Sequence, residues 1–496
     1  MTRQKYRKKM IPLKNKLKIL FVASEVGPFV KSGGLGDVAG SLPRALAALG
    51  VDVRVVLPKH GVIDSARLAG LQEVAKFEVA LDWRKPVARV LELNDASTPC
   101  PIYFIENDHY FNRGHLYGHG DDYERFAFFS KAAVSMLASI DFQADIVHFN
   151  DWQTGLGCVY LKDIFRDFMF YENTRSLFTI HNLQYQGQFG REILPQVALN
   201  DGYFVNDKLE FHNMVSYMKA GLTYSDYIST VSETYAREIQ TPSYGYGLDG
   251  MLKARSHQLV GILNGIDYTE NNPATDKRLF ATYDADNMAG KAKNKAELQK
   301  QLGLPQRPDV PIFAIISRLA EQKGLDLIAA SMHELLQRDM QIVVLGTGSQ
   351  QYEHLFWSTA HHNPHKLSAN IMFDINLAQK IYAASDFFLM PSLFEPCGLG
   401  QLIAMRYGSL PVARKTGGLA DTIAHYDYAS GKGSGLLFED YLPSGMIWAV
   451  DEALKLYSGG TSAHFDAARK NAMTADFSWE ASAKKYVELY LQIKST

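Results

Sequence analysis

A seven-residue phrase occurs twice in the chain, as Lys31-Ser32-Gly33-Gly34-Leu35-Gly36-Asp37 and as Lys415-Thr416-Gly417-Gly418-Leu419-Ala420-Asp421. Each copy sets a cation, a hydroxyl, a glycine pair and a closing acid just before a helix-like stretch. That combination suits an anion. Paired glycines let backbone N–H groups approach a phosphate with no Cβ in the way, and the helix that follows turns its positive end to the same group. One copy in each half of the chain predicts two α/β domains facing a shared cleft, with a phosphorylated ligand held from both sides.

Further polar clusters follow apolar runs. Ser317-Arg318-Leu319 and Lys323-Gly324 come after the strongest strand-like run of the second half, which puts both cations at the carboxyl edge of its sheet, where ligands bind. Arg318 can grip a phosphate with a two-pronged fork and Lys323 adds a mobile point charge, although either alone also reads as a solvated surface charge. In Phe394-Glu395-Pro396-Cys397-Gly398-Leu399-Gly400 the acid can accept hydrogen bonds from ligand hydroxyls, and the N–H groups from Cys397 to Gly400 can receive a phosphate. The alternative for Glu395 is an acid offsetting the dipole of the helix from Gln401. Cys397 reads as a buried small residue, since no histidine stands near it in sequence.

His148-x-Asn150-Asp151-Trp152 and His181-Asn182-Leu183-x-Tyr185-Gln186-Gly187 each follow a strand-like run directly. Acids and amides there suit ligand hydroxyls, and Trp and Tyr suit the apolar faces of sugars. Neither cluster has the His-x-x-x-His or His/carboxylate spacing of a metal site. Asp284-Ala285-Asp286 is an acid pair of the kind that can hold a metal-bound nucleotide, but it sits in a polar segment and reads as a solvated turn. Gly34-x-Gly36-x-x-Ala39 fits the dinucleotide-binding pattern without its context: seven residues separate Glu25 from Gly33, and no acid ends the second strand at Leu57-Pro58-Lys59.

Short β-branched runs must carry these loops, alternating with helical periods: Leu17–Ala23, Val51–Leu57, Pro101–Ile105, Ile146–Phe149, Ser176–Ile180 and Tyr227–Val231, then Pro311–Ser317, Gln341–Leu345, Ile371–Phe373, Phe387–Met390 and Leu410–Ala413. Such runs predict parallel strands of doubly wound sheets. The polar segment from Asn271 to Pro308 lacks strand character, and the junction is expected just before it, at Gly261–Asp267. The division is then a basic tail over 1–16, domains over 17–260 and 261–478, and a C-terminal helix over 479–496, whose apolar face suits closing the second domain as well as crossing back to the first, which is the placement expected.

At 496 residues two or three domains are expected, and a 47% hydrophobic, 21% charged composition belongs to globular proteins. A net charge of −2 gives no field for nucleic acid. Three scattered cysteines, Cys100, Cys158 and Cys397, imply neither a disulfide framework nor a Cys-x-x-Cys site. No apolar stretch reaches the ~18 residues of a membrane span, and no secretory signal follows the basic start, so a cytoplasmic protein is expected. A homo-oligomer is left open.

Taken in order from about Lys18 to Tyr490, these motifs resemble the glycogen and starch synthases of bacterial and plastid type, retaining glycosyltransferases of family five with the GT-B fold. Met218-Lys219-Ala220-Gly221, Gly247-Leu248-Asp249-Gly250 and Gly261-Ile262-Leu263-Asn264-Gly265-Ile266-Asp267 belong to the same likeness. The resemblance implies an α/β protein of two doubly wound Rossmann-like domains facing a deep cleft. It further implies transfer of glucose from ADP-glucose to the non-reducing end of an α-1,4-glucan such as glycogen, with retention and with neither cofactor nor metal.

By that resemblance Lys31, Arg318 and Lys323 bind the diphosphate, Gly33, Gly34 and Thr416 belong to its glycine loops, and Asp37 shapes the first of them. Glu395 holds the glucose hydroxyls, His181 lies beside the reacting carbon, Asp151 and Asn264 lie near the sugar, and Phe373 stacks on the base. Gly400 stands where threonine is frequent, Leu393 replaces a frequent arginine, and Ile375 and Asn376 break an acidic pattern after the stacking aromatic. A catalytically silent glucan-binding relative would have lost Lys31, Arg318, Lys323 or Glu395, and all four are present. A transferase making trehalose or a small glucoside is the other alternative.

Overall fold

The strand-like runs assemble into two sheets. The computed structural model describes residues 16–93, 98–458 and 462–496, so the expected basic tail lies outside the described residues except for Lys16. The chain divides into two units. One holds the described residues up to Ser229 with Ala254–Leu259 and Ala483–Thr496; the other holds Thr230–Lys253 and Val260–Ser482. The stretch from Thr230 to Lys253 thus packs with the second unit although it precedes the junction expected from sequence.

The first sheet has nine strands, in the order Leu259–Gly261, Tyr227–Thr230, Arg175–Ile180, Ile146–Asn150, Lys18–Val22, Asp52–Pro58, Ile102–Glu106, Val87–Leu93 and Leu71–Glu78. Its centre is parallel, with Leu20 beside both Arg54 and Val147. These strands are nearly all buried, as helices on both faces require. Leu71–Glu78 and Val87–Leu93 pair antiparallel at the edge and are absent from the sequence-derived runs. The alternation in Leu-Gln-Glu-Val-Ala-Lys-Phe-Glu marks a half-exposed strand rather than a buried one.

The second sheet is six parallel strands, in the order Leu367–Asn370, Gln341–Leu345, Ile312–Ile316, Phe387–Met390, Leu410–Arg414 and Leu436–Phe438. Alternate side chains feed two separate cores. Phe313, Ile315, Ile342 and Val344 join one, while Ile312, Ala314, Val343 and Leu345 join the other. The strand expected at Ile371–Phe373 lies one step earlier, at Leu367–Asn370, where Leu367 pairs with Ile342. Met372 and Phe373 are instead exposed in the loop that follows.

The polar segment before this sheet contains a helix, Ala289–Gln301, that composition hides. It buries Lys291 and Lys295. Lys291 Nζ donates to the carbonyls of Ala383 (3.0 Å) and Tyr407 (2.8 Å), and Lys295 pairs with Asp386 at 2.8 Å and donates to Tyr457 Oη at 2.7 Å. The long side chains bridge to buried carbonyls and an acid, so charged residues serve as core here.

Candidate active site

In the first unit the loops at the carboxyl edge of the central strands carry the expected residues. The strand Lys18–Val22 leads through buried Ser24 and Glu25 to the first glycine loop. Glu25 accepts from the Ser32 backbone N–H, from Ser32 Oγ at 2.7 Å and from the Tyr117 hydroxyl, so the loop is pinned from behind by a carboxylate. Gly33 and Gly34 face open space: a Cβ on either would meet nothing within 4 Å. The helix Gly34–Ala48 starts there with no side-chain cap, which leaves its first N–H groups available to a ligand. Lys31 Nζ pairs with Asp37 at 2.7 Å, both side chains exposed.

Two neighbouring strands end in the aspartate and histidine clusters. Asp151 has φ of +57°, a left-handed turn that costs energy outside glycine and is held by its N–H on the Thr179 carbonyl (2.9 Å). Its Oδ1 accepts from the His181 N–H at 2.8 Å. Burial pushes this carboxyl up to about 7, against the opposing pull of the His181 and Asn182 N–H groups and with the help of the nearby Glu25 charge. His181 is pushed down to about 3 by burial, so its ring is neutral at physiological pH. Asn150 Nδ2 donates to the carbonyls of Val22 (3.0 Å) and His148 (3.2 Å), which turns Oδ1 toward His181 Nε2 at 2.9 Å and makes Nε2 the protonated nitrogen.

The His148 side chain takes no part in this constellation. It is fully buried between Tyr490 Oη (2.8 Å) and Thr179 Oγ1 (2.6 Å), and burial drives its pKa well down. Lys219 of the Met218–Gly221 motif is likewise internal, donating to the carbonyls of Asn206 (2.5 Å) and Glu210 (2.6 Å).

A raised carboxyl pKa has a stability consequence. The native state binds the Asp151 proton where the unfolded chain releases it, so this group's contribution falls as pH rises from about 4 to about 7 and is level above that. His181 and His60, lowered to about 3 and about 4, act with the opposite sign, so a variant comparison is needed to isolate it. Asp151→Asn is expected to remove that downward contribution, leaving a pH profile of the unfolding midpoint that rises more steeply than wild type between pH 4 and 7. Parallel profiles of the two proteins would contradict the buried carboxyl.

In the second unit, Ser317, Arg318, Lys323, Ser392, Glu395, Gly398, Leu399 and Gly400 line a pocket of about 190 Å³ at the carboxyl edge of Ile312–Ile316 and Phe387–Met390. Lys323 reaches it because Gly324 adopts φ of +72° and passes so close to the Pro391 carbonyl that no Cβ would fit. Lys323 Nζ lies 2.7 Å from Glu395 Oε2, and Ser392 Oγ donates to the same oxygen at 3.2 Å. Gln401 Nε2 donates to the carbonyls of Cys397 (2.8 Å) and Gly398 (3.1 Å), so the carbonyls of this loop are engaged from behind.

Two buried atoms near this loop, Ser317 Oγ and Asn264 Oδ1, have no hydrogen-bond partner among the described residues. Such groups are costly to leave unpaired and fit a site completed by ligand hydroxyls. Burial pushes the Cys397 thiol up to about 12, so it is inert. Phe373 is 79% exposed and follows a strand two positions from Ile312–Ile316, about 10 Å away at ordinary strand spacing. A nucleoside spans that distance.

The second glycine loop differs from the first. Thr416 Oγ1 donates to Glu238 Oε1 at 2.9 Å, and the Gly417 N–H lies 3.0 and 3.1 Å from the two Glu238 oxygens. Where a phosphate is expected from sequence, the protein supplies its own carboxylate. Lys415 pairs with Glu439 at 2.8 Å. Sequence inspection missed Glu238, whose only signal was its place before the polar Thr241–Gly247 turn. In the Asp284–Asp286 turn Asp284 Oδ1 accepts from the Asp286 and Asn287 N–H groups and Lys470 pairs with Asp286 at 2.9 Å, so both acids are engaged.

Two family models match successive parts of the chain. Residues 18–254 match the family described as starch synthase catalytic domain, and residues 294–472 match glycosyl transferases group 1. The glycogen synthase of Clostridium novyi (strain NT) is 47% identical over 479 residues, covering 96% of this chain and 99% of that one. That of Moorella thermoacetica is 48% identical over 475 residues, covering 96% of each. The catalytic domain of starch synthase IV from Arabidopsis thaliana, solved bound to ADP and acarbose, matches with a TM-score of 0.90 at 34% identity, covering 97% of this chain and 100% of that one. A sucrose-phosphate synthase from Thermosynechococcus elongatus, at 19% identity and a TM-score of 0.61, shares the fold. With two Rossmann-like domains of GT-B type, the chain belongs to the glycogen and starch synthase family of glycosyltransferases.

Proposed function

We propose that this glycosyltransferase moves glucose from ADP-glucose to the non-reducing end of an α-1,4-glucan, retaining the anomeric configuration. The observation that carries the reading is the pocket in which Arg318, Lys323, Glu395 and the Gly398–Gly400 backbone converge at one sheet edge. As the sugar–phosphate bond stretches, negative charge grows on the diphosphate. Arg318, Lys323 and the N–H groups after Glu395, gathered at one pocket of the second unit, receive it without reorganising, and Lys31 is the cation the first unit offers to the same diphosphate. Glu395 and Asn264 take the glucose hydroxyls. By the family resemblance His181 serves the reacting sugar, and its neutral ring spares the developing positive charge the repulsion of an imidazolium. Retention follows from attack on the face the phosphate leaves, the departing phosphate taking the acceptor proton.

The metal-free reading is supported by Arg318, Lys323 and the loop N–H groups at one pocket, which offer a diphosphate the positive charge a divalent ion would otherwise supply. EDTA is expected to leave turnover nearly unchanged. Loss of activity in EDTA with recovery on adding magnesium or manganese would overturn it. Among the described residues no helix is long and apolar enough to cross a membrane, which supports the cytoplasmic reading.

The donor choice rests on the base, because ADP-glucose and UDP-glucose offer the same phosphates and sugar. Met372, Phe373 and Ile375 are exposed in the segment that follows the strand Leu367–Asn370, and stacking on an aromatic is worth about 1–3 kcal/mol. Phe373→Ala should weaken use of ADP-glucose more than UDP-glucose. A panel of ADP-, UDP- and GDP-glucose with glycogen tests this reading. Equal use of all three by the wild type, with an unchanged ratio in the variant, would sink both the donor preference and the stacking role.

A further inference from the structure

We infer that the second glycine motif is a clamp rather than a phosphate cradle, and that Glu238 and Asp421 are positioning residues for Glu395 and the donor loop. The helices Glu233–Glu238 and Gly417–Thr422 lock together at both ends. At one end Glu238 takes the Thr416 hydroxyl and the Gly417 N–H. At the other Asp421 takes the Thr234 N–H at 2.7 Å and the Thr234 hydroxyl at 2.6 Å. Charged acceptors make these the stronger kind of hydrogen bond. The reciprocity, one acid from each helix on the other helix's start, fixes both their distance and their register.

The motif's glycine pair then has a different reason to exist from that of the first copy. A Cβ on Gly417 would collide with the Glu395 carbonyl oxygen, and one on Gly418 with the backbone of Cys397. Gly33 and Gly34 of the first copy have nothing near them. Gly417 and Gly418 are therefore small so that the clamp presses directly on the donor loop. The Gly418 N–H donates to the Glu395 carbonyl at 3.0 Å, and Ser232, just ahead of the Glu233–Glu238 helix, donates to the Pro396 carbonyl at 2.5 Å. With Gln401 on the carbonyls of Cys397 and Gly398, four consecutive carbonyls are drawn back. The side chain of Glu395 and the following N–H groups are left to the pocket. A donor loop held this way needs no rearrangement when charge develops.

This inference rests on the proposed role of Glu395, and its test separates the two. Hydrogen exchange of the Gly418 amide, whose N–H bonds the Glu395 carbonyl, reads the clamp whatever the donor proves to be. Glu238→Ala should accelerate that exchange and lower turnover about ten- to a hundred-fold, as small misplacements of catalytic groups do. Glu238→Gln, whose amide oxygen still accepts from Thr416 and Gly417, should recover most of the activity. In a Glu395→Gln background the further loss from Glu238→Ala should shrink to less than about three-fold, the signature of two residues acting through one group. Thr416→Val is the milder variant should Glu238→Ala not fold, and it should show the same pattern with smaller size. Unchanged exchange of the Gly418 amide in these variants would overturn the clamp. An undiminished loss in the Glu395→Gln background would overturn the positioning role.

Discussion

Arg318→Ala is expected to lower turnover by about 10²–10³-fold, the loss typical of removing a fixed donor from a charge that grows in the transition state. Arg318 lines the pocket beside Lys323 and the loop N–H groups, so all of them act on one diphosphate. Turnover should fall more than donor affinity, because the charge they answer is larger at the transition state than in the bound donor. Lys323→Ala should behave alike with an added effect, since it also removes the 2.7 Å ion pair to Glu395. The double variant should lose less than the product of the single losses. A raised Michaelis constant at wild-type turnover in either variant would make that cation a binding group only.

Glu395→Gln keeps the shape of the side chain and removes the charge that meets Lys323 and the sugar hydroxyls. Hydrogen bonds to charged groups are worth about 1.5–3 kcal/mol, so turnover should fall at least ten-fold. The fold should survive, because the loop is held through its carbonyls rather than through this carboxylate. Circular dichroism and the unfolding midpoint check that part. Unchanged turnover would remove Glu395 from the site.

The parallel strands and the loops at their ends were legible because a strand buried on both faces leaves a continuous apolar run, and a loop after it is rich in glycine and polar residues. Arg318, Lys323, Glu395 and Gly398–Gly400 were found that way and lie around one pocket. His181, Asp151 and Asn150 likewise hydrogen-bond to one another. What the sequence hid has physical causes. The helix Ala289–Gln301 buries lysines whose ammonium groups meet buried carbonyls and an acid, which no apolar count detects. The edge strands alternate instead of running apolar. The two glycine motifs read alike, yet in one the space beside the glycines is empty and in the other it is filled by backbone. That difference depends on partners remote in sequence, the backbone of Glu395 and Cys397 against the glycines and Glu238 on the Gly417 N–H.

The central claim is tested most directly by supplying ADP-glucose labelled in the sugar together with glycogen, then measuring ADP released, label in polymer, and the fragments freed by an exo-acting hydrolase specific for α-1,4 bonds at non-reducing ends. The account predicts one ADP for each glucose incorporated, label released at once by the hydrolase, and no reaction when free glucose replaces glycogen. ADP release without label in the polymer, or label in a small glucoside, would contradict it.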